Sequence, residues 1–288
     1  MSHSIQRFSF HHRGYQFSYL DTHPDQQERP IVLFLHGFPD TAKLWLQSMD
    51  LLSQQGYRCI APDTLGCGHS EISERESDYN VMQIIQDHIA LLDVLKIAKV
   101  HVVGHDWGAA AAWFLTCYHP ERVNTLTALS VGHPGAFAEP NLHQLKASWY
   151  ILYFKLMGSE NLLKTKMKMG LVNVFGDHPN MPEVSQRFKD PRRLVAALNI
   201  YRATLPKALI RKHPKSTVPT LGLWGYTDRY CLEPQMRNSQ KWVSGTWRYD
   251  SVDCHHWIPL AEPEWLNLKL LAHFKSNELK QQPAALSA

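Results

Sequence analysis

An α/β architecture is predicted: a mostly parallel sheet with helices on both faces, interrupted by a helical insertion. Three observations in the 288-residue sequence point to it. Over the first half, short apolar runs alternate with stretches of helical period. That alternation stops after Gly132–Phe137 and gives way to a basic stretch without a convincing strand. Strand-like runs then return near Pro219. With 44% hydrophobic and 19% charged residues the chain can bury a large core, and a disordered or collagen-like protein is excluded.

Taken in order, Ile31–His36, Arg58–Pro62, Val100–Gly104 and Leu126–Val131 read as buried strands. Between them, Trp45, Met49 and Leu52 recur at helical spacing, as do Val81, Ile85, Ile89 and Leu92. Gly56 is placed to cap the first helix. Alternating strands and helices favour a parallel sheet covered on both faces. From about Glu139 to Thr217 the reading is helical. Pro219–Gly225 and Thr246–Val252 are the last strands, and a closing helix covers Trp265–Phe274. Residues 136–217 hold fourteen Lys and Arg against five Asp and Glu, whereas the rest of the chain is net acidic. That asymmetry marks a separate layer. The expected division is 1–135 with 218–288 as the α/β core, and 136–217 as a helical lid.

Physical grounds argue against several classes. The longest apolar runs fall short of the ~18 residues a membrane span needs, or carry His or Asp. The start, MSHSIQRFSFHHRGYQF, has no apolar export segment. Five cysteines, Cys59, Cys67, Cys117, Cys231 and Cys254, lack CxxC spacing and suit a reducing compartment, so a cytoplasmic location is expected. A net charge of +4 with no accompanying motif argues against a nucleic-acid partner. No membrane partner is expected either, and LLKTKMKMG and QRFKDPRR read as solvated helix faces and turns rather than as a site that attracts acidic substrates. Asp63–Ser70 is glycine-rich but lacks GxxxxGK[ST], so it reads as a structural turn.

The chemistry concentrates in KVHVVGHDWGAAAAWF. A strand runs into Gly104-His105-Asp106-Trp107-Gly108 and a helix leaves, a pattern that presents one strained side chain at a helix N-terminus. The presented residue is Asp106. An ordinary carboxylate, with a pKa of about 4, is ionised at neutral pH and needs no base to act as a nucleophile. Attack on a saturated carbon bearing a leaving group gives an ester, whose hydrolysis requires an activated water. Chain order supplies Asp228 after one late strand and the His255-His256 pair after the next, and spacing alone does not choose between the two histidines. His36-Gly37-Phe38-Pro39-Asp40 follows the first parallel strand. Its Phe38 N–H, paired with that of Trp107, would form a two-donor oxyanion hole.

HGFPD, DTLGCGHS, VVGHDWGA, GYTD and CHHW, in that order, resemble the α/β-hydrolase-fold epoxide hydrolases over nearly the whole chain. The resemblance implies that fold, and a covalent ester on Asp106 hydrolysed by water that His256 and Asp228 activate. It also implies two lid tyrosines holding the epoxide oxygen: Tyr150 in Tyr150-Ile151-Leu152-Tyr153-Phe154, with Tyr153 as a competitor, and Tyr201 in Asn199-Ile200-Tyr201-Arg202. The substrate would be a small apolar epoxide contacting Phe38, Trp107, Tyr150 and Tyr201, with water as co-substrate and no cofactor or metal. Met157, Met167 and Met169 are expected to line the pocket. Two alternatives stay open: dehalogenation through the same Asp106, and a non-catalytic ligand-binding protein of this fold.

Overall fold

The computed structural model describes residues 5–139, 141–156, 158–164, 170–204 and 212–281. Met157, Met167 and Met169 lie outside the described residues.

One eight-stranded sheet organises the chain, in the order β1-β2-β4-β3-β5-β6-β7-β8. The strands are β1 (Gln6–His12), β2 (Tyr15–Asp21), β3 (Ile31–Leu35), β4 (Arg58–Pro62), β5 (Val100–His105), β6 (Val123–Leu129), β7 (Thr220–Gly225) and β8 (Trp247–Val252). From β4 to β8 every neighbouring pair is parallel, while β1 and β2 add an antiparallel edge. Each of the six sequence-expected strands is present, within a few residues of its expected bounds.

The edge hairpin is absent from the sequence reading. Its signal was a two-residue alternation, Phe8 and Phe10 against Tyr15, Phe17 and Tyr19, around an Arg13-Gly14 turn in which both residues have positive φ. Phe10 pairs with Phe17, and their rings stack at 5.2 Å. The remaining polar residues of these strands hid the apolar count.

Helices cover both faces. They include α1 (Leu46–Gln54), α2 (Val81–Val94), α3 (Trp107–Tyr118) and a long closing helix at Pro263–Gln281. Gly56, at φ +92°, follows α1 as its left-handed cap: Gly56 N–H donates to the Ser53 carbonyl and Tyr57 N–H to that of Leu52. Successive residues of β3 go to opposite faces, Val32 and Phe34 joining one apolar cluster and Leu33 and Leu35 the other. The second cluster contains α2 and α3. The first continues from the sheet into residues of the basic segment, including Phe154, Phe175 and Leu198.

Among the described residues, positions 139–212 contain helices and no named strand. Two of these helices matter below: α4 (Trp149–Lys155) and α5 (Pro191–Thr204). The Asp63 turn is structural, as expected. Its carboxylate accepts from Ala42 N–H and His69 N–H and pairs with Arg7 at 2.7 Å.

Candidate active site

Because β3, β5, β7 and β8 run parallel, the loops after their carboxyl ends converge on one edge of the sheet. Asp106 sits in the turn from β5 into α3 at φ +53°, a conformation few residues other than glycine adopt. The surrounding glycines make room for it. A Cβ on Gly104 would overlap the Gly108 carbonyl, one on Gly108 the Leu35 carbonyl, and one on Gly37 the Asp106 carboxylate itself. Strain at Asp106 is thus imposed by close backbone packing on three sides.

Phe38 N–H donates to Asp106 Oδ1 at 2.8 Å. Trp107 begins α3, so its backbone N–H belongs to the first turn, where amides have no intrahelical partner. The Phe38 ring points elsewhere. It packs against Phe154, Phe175, Phe188 and Tyr201 and borders a neighbouring pocket with His36 and Leu65.

Asp228 follows β7 and accepts backbone N–H groups from Tyr230 and Cys231 at 2.9 and 3.0 Å on Oδ1. Its Oδ2 lies 2.7 Å from His256 Nδ1, while His256 Nε2 lies 3.6 Å from Asp106 Oδ2. His256 is therefore strung between two carboxylates, all three groups buried. Burial opposes its charge, but Asp228 and then Asp106 overcome that and raise its pKa to about 10. Asp228 is held below the usual carboxylate range: burial works against this, and the His256 charge and the two amides outweigh it. The neighbouring His255 is turned away, its Nδ1 accepting from Trp257 N–H. Geometry thus separates the two histidines that spacing could not.

Asp106 lines an apolar cavity whose walls also include Trp107, Phe114, Val131, Phe137, Tyr150 and Tyr201. Tyr150 comes from α4 and Tyr201 from α5; both are almost fully buried and their rings meet edge to face at 6.4 Å. Burial pushes both phenols well above their ordinary range, with nearby Asp106 adding to it, so both remain protonated donors. The Trp107 ring meets the Tyr201 ring edge to face at 5.0 Å. Tyr153 does not line this cavity; its hydroxyl donates to the Ser159 carbonyl at 3.2 Å.

Comparison with known proteins agrees with this architecture. Residues 30–263 match the family model described as alpha/beta hydrolase fold. The chain is 30% identical over 264 residues to the AB hydrolase superfamily protein YfhM of Bacillus subtilis, covering 87% of this chain and 92% of that one. It belongs to the α/β-hydrolase-fold family. It is also 27% identical to human epoxide hydrolase 4 over 93% of this chain and 78% of the relative. A solved structure described as a novel epoxide hydrolase of the α/β-hydrolase superfamily, from hot-environment metagenomes, superposes with a TM-score of 0.81. That match covers 95% of this chain and 99% of the other at 24% identity.

As an α/β hydrolase, the chain carries functional-site neighbours that the sequence reading did not single out. Asp40, quoted only as the end of HGFPD, is buried; its Oδ1 accepts from His178 Nε2 at 3.0 Å and its Oδ2 from the Trp257 indole at 3.1 Å. It joins the 136–217 segment to the residue after His256. His178 and its charge hold Asp40 below the ordinary carboxylate range against the effect of burial. His105 was read as part of the turn. Burial lowers its pKa to about 4, so it is neutral, and its Nε2–H donates to the His256 carbonyl at 3.0 Å. An invariant spacing would not have shown either contact, because each joins residues more than a hundred positions apart.

Proposed function

We propose that this α/β hydrolase is an epoxide hydrolase that works through an ester on Asp106. The observation carrying the reading is one cavity lined by both a buried carboxylate and two buried, protonated phenols. The relatives named epoxide hydrolases support the same activity.

With Oδ1 held by the Phe38 amide, Oδ2 attacks an epoxide carbon as Tyr150 and Tyr201 donate to the ring oxygen. The C–O bond of the ring breaks, the oxygen takes a phenol proton, and a hydroxyalkyl ester forms. Esterification removes the Asp106 charge that helped raise the His256 pKa. The imidazolium then gives up its proton, which restores the phenol, and His256 becomes a base. It takes a proton from water, and the hydroxide adds to the ester carbonyl. The Phe38 and Trp107 amides stabilise the oxyanion on Oδ1. Collapse releases the diol and the Asp106 carboxylate beside a protonated His256, which is the starting state. Asp228 orients the ring throughout. Residues 136–217 serve as the lid that brings the phenols to the carboxylate.

Dehalogenation would use the same ester but needs donors for a halide. Here the groups that line the cavity with Asp106 are proton-donating phenols, which suits an alkoxide leaving group. Intact mass of His256→Ala after incubation with styrene oxide and, separately, 1-bromobutane tests the assignment. A gain of the whole epoxide is expected. Gain of a butyl group alone would make the chain a dehalogenase, and no adduct from a substrate that the unmutated protein turns over would refute the ester.

A further inference from the structure

The 136–217 segment has an outer face that hydrolysis does not use. Leu142, Leu145, Trp149, Leu152 and Leu156 recur every three or four residues along two consecutive helices, Leu142–Ala147 and α4. Their exposures are 77, 63, 46, 64 and 63%. The inward face of the same helices is formed by Gln144, Tyr150, Tyr153 and Phe154, all buried. Among the described residues twelve large apolar side chains are exposed, and these five fall within fifteen consecutive positions. Single exposed leucines are ordinary on a soluble surface, but a continuous stripe calls for a partner.

Charge indicates which partner. Between Asn141 and Gly176 the sequence has five lysines, at 146, 155, 164, 166 and 168, and one acid, Glu160. Glu160 is taken by Arg202 at 2.7 Å, so no free carboxylate offsets those lysines along this stretch. Lys146 directly follows Leu145, and Lys155 directly precedes Leu156. An apolar stripe with lysines at its margins matches the boundary of an anionic bilayer: leucine and tryptophan side chains enter among the headgroups while ammonium groups stay beside the phosphates. A second copy of the chain fits less well, because pairing like faces sets lysines against lysines.

We infer that this outer lid face docks peripherally on an anionic lipid surface. Among the described residues no helix is long and apolar enough to cross a membrane, so the mode is surface attachment. The sequence suggests no membrane partner. The inference goes against that expectation, and it rests on the helical register that turns five apolar side chains outward instead of into the core. Docking does not depend on the proposed chemistry. Where that chemistry also holds, Ile151 on α4, which lines the cavity, would lie close to the bilayer in which apolar epoxides concentrate.

Sedimentation of the full chain with phosphatidylcholine vesicles, with and without phosphatidylglycerol, tests the inference. Binding is expected to the anionic vesicles and to be released by salt. The pairs Leu145→Ser with Leu152→Ser, and Lys146→Glu with Lys155→Glu, should each lower the partition coefficient by about tenfold or more. Unchanged melting temperatures would show that these variants remain folded. Absence of sedimentation with anionic vesicles, or binding that neither pair weakens, would overturn the inference. So would light scattering that shows a dimer dissociated by the leucine pair, since the face would then join two copies.

Discussion

The carboxylate and the phenols that line the cavity are held by different kinds of structure. At the carboxylate end, most of the fixing contacts involve a backbone group. Asp106 is held at positive φ between three close glycines, Oδ1 by the Phe38 amide, Asp228 by two amides, and His256 through its own carbonyl. At the phenol end, side chains pack on side chains. Tyr150 and Tyr201 ride on separate helices and are located by edge-to-face rings from Phe154, Trp107, Phe38 and each other. The first arrangement tolerates almost no change of residue. The second should tolerate loss of a hydroxyl with little structural consequence.

The largest effect is expected from Asp106→Asn, which keeps the shape and removes the proposed nucleophile. Diol formation should fall by about 10⁴-fold or more, measured under saturating styrene oxide. Retention of substantial activity would mean that water attacks the epoxide directly. Next come the phenols. Tyr150→Phe and Tyr201→Phe should each lower kcat/KM by about 10²-fold, with far greater loss in the double variant, while melting temperature barely moves. A large drop in melting temperature would show that the hydroxyls hold the lid together, and the contrast between the two ends would fail.

Stability separates the ends in a further way. Gly108→Ala drives a methyl into the Leu35 carbonyl, so it should unfold or severely destabilise the protein, by about 3 kcal/mol or more. His178→Ala leaves the buried Asp40 carboxylate without its partner from the 136–217 segment and should cost about 3 kcal/mol in denaturant melts. The smallest expected effect is on pH. His256 is raised from an ordinary 6.5 to about 10 in the folded protein. Its contribution to stability is therefore whole below pH about 6.5 and is lost as pH rises through about 10. Melting temperature should fall across that interval more steeply in the native chain than in His256→Gln, and equal slopes would contradict the raised pKa.

The same contrast explains what the sequence could reveal. Glycines at 104 and 108 are required by backbone crowding, and their spacing around Asp106 is legible in one dimension. Strand ends fix the order of Asp106, Asp228 and His256 along the chain. Spacing did not separate His256 from His255, and only the family resemblance named His256, since both ring directions depend on the turn after β8. Tyr150 and Tyr201 could be named only through family resemblance, because helical aromatics look alike whether they pack or react. The Asp40–His178–Trp257 contacts join three distant segments and left no local pattern. The edge hairpin was missed because its aromatic alternation is diluted by Gln, Ser and His.

The most direct test is a single turnover in ¹⁸O-labelled water with native protein in excess over styrene oxide. If water attacks the Asp106 ester, the label enters the Asp106 carboxylate and the diol carries an unlabelled oxygen from the protein. Label in the diol, with none in the peptide containing Asp106, would contradict the covalent route and with it the proposed division of labour between the carboxylate and the phenols.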